Sequence, residues 1–124
     1  MEKYLWIGLG GFLGANARYL VGGWAADRWG AAFPFGTLLV NVSGSFLLGL
    51  FLAATTERFL ADPRWRLMLA VGFLGAYTTF STYTYETMQM VASGGWWPGV
   101  LNALANNAVG LLASALGIAL GRSL

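Results

Sequence analysis

Charge-free runs divide this chain. From Tyr4 to Ala26 the only charge is Arg18, and from Trp29 to Thr56 there is none. Leu67 to Tyr85 is again uncharged, and so is Thr87 to Gly121, a run interrupted only by Ser93-Gly-Gly-Trp-Trp-Pro98. A helix needs about 20 mostly apolar residues to cross a bilayer, so the pattern predicts an all-α membrane protein, a single domain over 1–124 with four transmembrane helices at about 4–26, 34–56, 66–92 and 98–121. Asp27-Arg28 falls in the first turn, and Pro34 opens the second helix. The polar stretch Glu57 to Arg66, with Pro63 inside it, joins helices two and three. Gly94-Gly95 stops helix three, beside tryptophans suited to a membrane interface. The lysine and apolar run at the N-terminus mimic a signal peptide, but the run is too long, and later spans resemble it.

Composition agrees. Hydrophobic residues make up 57% of the chain and charged residues only 10%, where a soluble domain carries roughly a quarter charged. The chain has no Cys and no His, which removes thiol chemistry, Cys/His metal sites and imidazole catalysis. With no paired carboxylates either, an enzyme is not expected. The net charge of +2 is spread along the chain, so no nucleic-acid partner is expected. The basic residues speak instead to orientation. Four helices put both termini on one side with Lys3, Arg58, Arg64, Arg66 and Arg122; the other side holds Arg28, with Arg18 near it. That bias places both termini in the cytoplasm.

Small and polar residues recur at helical spacing. Gly10, Gly14, Arg18 and Gly22 fall four apart in helix one, and Thr37, Asn41, Ser45 and Gly49 do so in helix two. Helix four repeats the pattern with Asn102, Asn106, Gly110 and Ser114. Such residues share a face. Most of the 18 glycines read as packing surface, because small residues let helix backbones approach closely in lipid. The amides Asn41, Asn102, Asn106 and Asn107 leave two readings open: interhelical hydrogen bonds, or donors facing a wet path. Arg18 reads first as a side chain snorkelling to headgroups, with a cationic vestibule as the functional alternative. Glu86 has Arg18 or a backbone donor as its candidate partners.

The most informative stretch is Gly72-Phe-Leu-Gly-Ala-Tyr-Thr-Thr-Phe-Ser-Thr-Tyr-Thr-Tyr-Glu86. So many hydroxyls inside an apolar run suggest an ion path beside it. Gly72, Gly75 and Thr78-Thr79 make a poor helix interior, and a break there would free carbonyls for a small hard cation. From composition alone the preferred reading is a continuous helix whose threonines bond back to carbonyls one turn earlier. Phe80 and Tyr83 share a face, and the electropositive edge of a phenyl ring suits an anion.

Gly-Gly-Phe-Leu-Gly-Ala-Asn-Ala-Arg18-Tyr, Gly36-Thr37-Leu-Leu-Val-Asn41 and Gly72-Phe-Leu-Gly75-Ala-Tyr-Thr78-Thr79-Phe80-Ser81-Thr82 together resemble the bacterial fluoride channel family, Fluc or CrcB, across essentially the whole chain. The resemblance implies a multi-pass fluoride channel of the bacterial inner (plasma) membrane, exporting toxic fluoride through two pores in an antiparallel, dual-topology homodimer embedded in lipid. It implies that helix three breaks near 75–79, with a structural sodium ion (Na+) on the main-chain carbonyls of Gly75 and Thr78. It places Asn41, Phe80 and Tyr83 on the fluoride pathway, with Thr37, Ser81, Thr82, Ser114 and Asn106 along the track and Arg18 at its mouth. Two positions depart from the family pattern: Tyr83 where phenylalanine is usual, and Gly110 where a hydroxyl is usual. Both bear on rate more than on identity. The charge bias also sits uneasily with dual topology. The rival readings are a small dual-topology multidrug exporter, which lacks its helix-one carboxylate here, and a non-conducting membrane assembly subunit.

Overall fold

A computed structural model describes residues 1–57 and 62–124. Arg58, one of the basic residues that set the expected orientation, and part of the 57–66 connection lie outside the described residues. The described chain is all-helical. Helix α1 spans Glu2–Trp29 and α2 spans Phe35–Glu57. Helix α3 covers 63–77, α4 Ser81–Ala92 and α5 Trp96–Ser123. The sequence's third helix is therefore two helices, α3 and α4. The continuous-helix reading is corrected: Thr78 is extended, at φ −85 and ψ 159. The break sits at Thr78–Phe80, at the late end of the expected window, because Gly75–Tyr77 complete one more helical turn.

Local chemistry sets the ends. Asp62 Oδ1 accepts the Arg64 backbone N–H at 3.0 Å and Pro63 takes the first helical position, so α3 starts three residues before the expected 66. The Arg64 side chain also hydrogen-bonds to Asp62, which holds that carboxyl below its ordinary value. Arg64 further pairs with Glu2 at 3.6 Å, fastening the start of α3 to the start of α1. Gly94, at φ 88, turns the chain between α4 and α5.

Two seams hold the bundle together, and both are made of backbone. Along α1/α3, a Cβ on Gly14 would clash with the Phe73 carbonyl, and one on Gly72 would come within 2.6 Å of the Ile7 carbonyl oxygen. Along α2 and the second half of α5, Gly49 faces the Ser114 carbonyl, Gly117 that of Phe46 and Gly121 that of Leu50. Glycine stripes join helices this way when the surroundings are as apolar as the helices themselves. The outward faces fit that setting: Leu5, Phe12, Leu20, Leu111 and Leu116 are mostly exposed. Among the described residues two helical stretches, Phe35–Thr56 and Trp96–Ser123, are individually long and apolar enough to cross a membrane. Helix α1 has the length, but Asn16, Arg18 and its glycines dilute its hydropathy, and the break leaves neither α3 nor α4 long enough alone.

Candidate functional site

A helix break strands backbone groups that the next turn would have satisfied. Here side chains from other helices take them up. Asn41 on α2 grips Thr79 from both sides: its Nδ2 donates to the Thr79 carbonyl at 2.9 Å, and its Oδ1 accepts the Thr79 N–H at 2.8 Å. Arg18 Nε donates to the Ala76 carbonyl at 3.0 Å. Thr79 Oγ1 accepts the N–H of Thr82 at 3.1 Å, satisfying a free donor of the first turn of α4. Ser43 and Tyr77 share a hydroxyl contact of 3.0 Å, and Thr78 lies against Gly44, where any Cβ would overlap its methyl group.

This clasp diverts two donors. In an uninterrupted helix the Gly75 carbonyl would receive the N–H of Thr79, and the Thr78 carbonyl that of Thr82. Asn41 takes the first and Thr79 Oγ1 the second. Among the described residues no group of three or more His, Cys, Asp or Glu is placed to hold a metal ion.

Two cavities share Thr79 in their linings. One, of about 430 Å³, is lined by Arg18, Thr37, Val40, Thr79 and Thr82 together with glycines of α1 and α2. The other, of about 250 Å³, is lined by Asn41, Ser45, Thr78, Thr79, Phe80, Tyr83, Asn106 and Asn107, with Gly44 and Leu48. Its lining carries hydroxyls, amides and ring edges, and no formal charge. The Phe80 and Tyr83 rings meet edge to face, with centroids 5.5 Å apart. Phe80 is 74% exposed on the single chain while Tyr83 is 9% exposed. Asn107 Nδ2 donates to the Tyr83 hydroxyl at 2.8 Å, which leaves the phenolic proton to point elsewhere.

Most of the sequence-predicted residues gather here. Asn41, Phe80, Tyr83 and Asn106 line the smaller cavity, and Arg18, Thr37 and Thr82 the larger. Ser81, exposed at the start of α4, lines neither, and Ser114 lies on a different cavity with Thr56 and Arg122. Ser114 lies eight residues beyond Asn106, about 12 Å of helix rise toward Arg122, and that distance along α5 separates the two. The place expected for a hydroxyl at Gly110 is faced by Ser45 Oγ, 3.9 Å from where a Cβ would stand. Ser45 was visible only as the next member of the Thr37–Asn41 stripe. The expected partners of Glu86 are also corrected. Arg18 is engaged with the Ala76 carbonyl, and Glu86 Oε1 is buried with no hydrogen-bond partner among the described residues. Arg18 itself does not snorkel; it is half-buried against the break.

An all-helical bundle with lipid-like outer faces and neutral donors gathered at a helix break is the architecture of a membrane protein. The family model described as "CrcB-like protein, Camphor Resistance (CrcB)" matches residues 5–118, and the chain belongs to that family. Its relatives include the fluoride-specific ion channel FluC of Koribacter versatilis, 53% identical over 117 residues that cover 94% of this chain and 92% of the relative. The fluoride-specific ion channel FluC of Solibacter usitatus is 50% identical over 97% of this chain and 98% of its own. That of Sulfurihydrogenibium sp. is 47% identical over the full length of both.

Proposed function

We propose that this chain is a fluoride-selective channel of the bacterial inner membrane, letting toxic fluoride leave the cell by passive permeation. Family membership and full-length relatives named as fluoride-specific channels support the reading. The observation that carries it is the pair of cavities that share Thr79 in their linings, one beside Arg18 and the other lined by neutral donors and ring edges. Fluoride is small and strongly hydrated. A path for it needs many donors to replace water, and no full charge strong enough to trap the ion at its narrow part. Amides, hydroxyls and the electropositive edges of Phe80 and Tyr83 meet that need, and Arg18 supplies attraction at the wider mouth. Asn41, Asn106, Phe80 and Tyr83 form the narrow part, Thr37 and Thr82 the approach; Ser81 and Ser114 join only through surfaces that a second copy completes.

The working unit is an antiparallel, dual-topology homodimer with two pores and four membrane crossings per chain. Two observations support it. Phe80 faces outward on the single chain, and the buried Glu86 Oε1 needs a donor from water or a second copy, because an unpaired buried carboxylate oxygen is costly. A structural sodium ion fits the carbonyls of Gly75 and Thr78, whose helical donors are diverted; it would neutralise the stranded dipoles and tie the two breaks together. The exposed leucines and phenylalanines of the outer faces are solvated by lipid.

The test is efflux of fluoride from liposomes reconstituted with the purified protein, with chloride as control. Fluoride release well above empty liposomes, with chloride retained, is expected. Release no faster than from empty liposomes would sink the assignment.

A further inference from the structure

Asn102 lies on neither cavity, yet it is an amide with 0% of its surface exposed, one of the two largest fully buried side chains of the described chain. A packing role is served better by leucine, since burying an amide is costly unless its hydrogen bonds are made. They are made, and in a definite direction. Asn106 Nδ2 donates to Asn102 Oδ1 at 3.0 Å and to the Asn102 carbonyl at 2.9 Å. Asn102 Nδ2 donates to Thr87 Oγ1 at 2.9 Å, and Thr87 Oγ1 donates to the Tyr83 carbonyl at 2.8 Å. At the other end, Asn41 Nδ2 donates to Asn106 Oδ1 at 2.8 Å as well as to the Thr79 carbonyl.

The links form one closed path. It leaves the broken helix at Thr79, crosses α2 at Asn41 and α5 at Asn106 and Asn102, and returns through Thr87 to Tyr83. The orientation of every amide follows from the ends. The Thr79 N–H needs an acceptor, which fixes Asn41 Oδ1 against it; Asn41 then has only donors to offer, and each later amide passes the same sense on. Both hydrogens of Asn41 Nδ2 and both of Asn106 Nδ2 are engaged. What the path encloses is the segment 79–83, the stretch that carries both aromatic rings of the smaller cavity.

We infer that Asn102 and Thr87 are positioning residues of the ion path, acting through Asn106 and Asn41 to hold Phe80 and Tyr83 in register with the break. The inference rests on the channel reading. A polarised chain of buried hydrogen bonds is stiffer than its separate members, and losing one end loosens the others. Thr87 lines neither cavity and joins the path only through its hydroxyl, so it gives the cleanest test.

The experiment measures fluoride efflux from liposomes carrying the wild type, Thr87→Val, Thr87→Ser, Asn106→Ala and the Thr87→Val/Asn106→Ala pair, each first shown to be folded by gel filtration in detergent. Thr87→Val is expected to lower flux about tenfold, as for a lost buried hydrogen bond, with Thr87→Ser restoring it to within about twofold. In the Asn106→Ala background, where the chain is already cut, Thr87→Val should change flux by less than about twofold, because residues acting through one network are not additive. Where Thr87→Val does not fold, Thr87→Ala removes the same hydroxyl without a new branch and is read in the same way. Unchanged flux in Thr87→Val, no rescue by serine, or losses that multiply in the double variant would each overturn the inference. Absence of fluoride flux in the wild type would instead overturn the channel reading on which it stands.

Discussion

Along α1/α3 and along α2/α5 the backbone itself is the packing surface, with glycine after glycine placed so that no Cβ fits. Around the break, by contrast, the joints are polar side-chain atoms: Asn41 on Thr79, Arg18 on Ala76, Asn106 on Asn102. The seams leave no room for a Cβ, whereas around the break the members are held by donors and acceptors, and Asn41, Thr79 and Asn106 border open space. The contrast separates what keeps the bundle together from what shapes the path through it.

The largest effect is expected at the seams. Gly14→Leu drives a side chain into the Phe73 carbonyl and should cost about 3 kcal/mol or more, seen as loss of folded protein on gel filtration. Gly23→Ala, with nothing within 4 Å of its Cβ, should leave yield and melting unchanged and so shows that the effect belongs to the seam. Next comes the clasp. Asn41→Ala removes three hydrogen bonds at the break and should lower fluoride flux about a hundredfold, while its melting temperature falls far less than that of any seam variant that can be purified. If Asn41→Ala and Gly14→Leu fail in the same way, the separation of the two regions is wrong.

A smaller effect is expected inside the cavity. Tyr83→Phe keeps the ring edge and removes a hydroxyl that Asn107 polarises, so fluoride should leave faster and flux rise by about threefold. The smallest belongs to the exposed start of α3. Asp62, its carboxyl held low by Arg64, gives a contribution that is present above the ordinary carboxylate value and lost as pH falls through its depressed one. Melting should therefore not change between pH 7 and about pH 5 on its account, and Asp62→Asn at neutral pH should give the least shift of the series.

Much of this was legible in the order of residues. The helices follow from charge-free runs punctuated by Pro34, Pro63 and Gly94-Gly95, and their ends fall within a few residues of expectation. The amide stripes also led to the right faces, since Asn41 and Asn106 do meet. What local pattern could not decide was the break. Thr78 Oγ1 bonds back to the Leu74 carbonyl at 3.0 Å, as expected for a continuous helix, and the helix still ends there. The deciding partner is Asn41, whose grip on the Thr79 peptide reaches across 38 residues of sequence. Spacing put Ser114 on the Asn106 stripe, but it could not show that about 12 Å of helix rise sets the two on different cavities. The position of Arg18 near a helix end does not show the carbonyl it meets, which the break at Thr78–Phe80 leaves free at Ala76.

In the proposed channel, fluoride passes beside a helix break held open by Asn41. Efflux from liposomes measures it directly, with wild type and Asn41→Ala reconstituted at equal amounts and fluoride compared with chloride. Rapid fluoride release and chloride retention are expected for the wild type, and slow release from folded Asn41→Ala. Wild-type liposomes that retain fluoride, or an Asn41→Ala protein that conducts as well as the wild type, would contradict the proposed path.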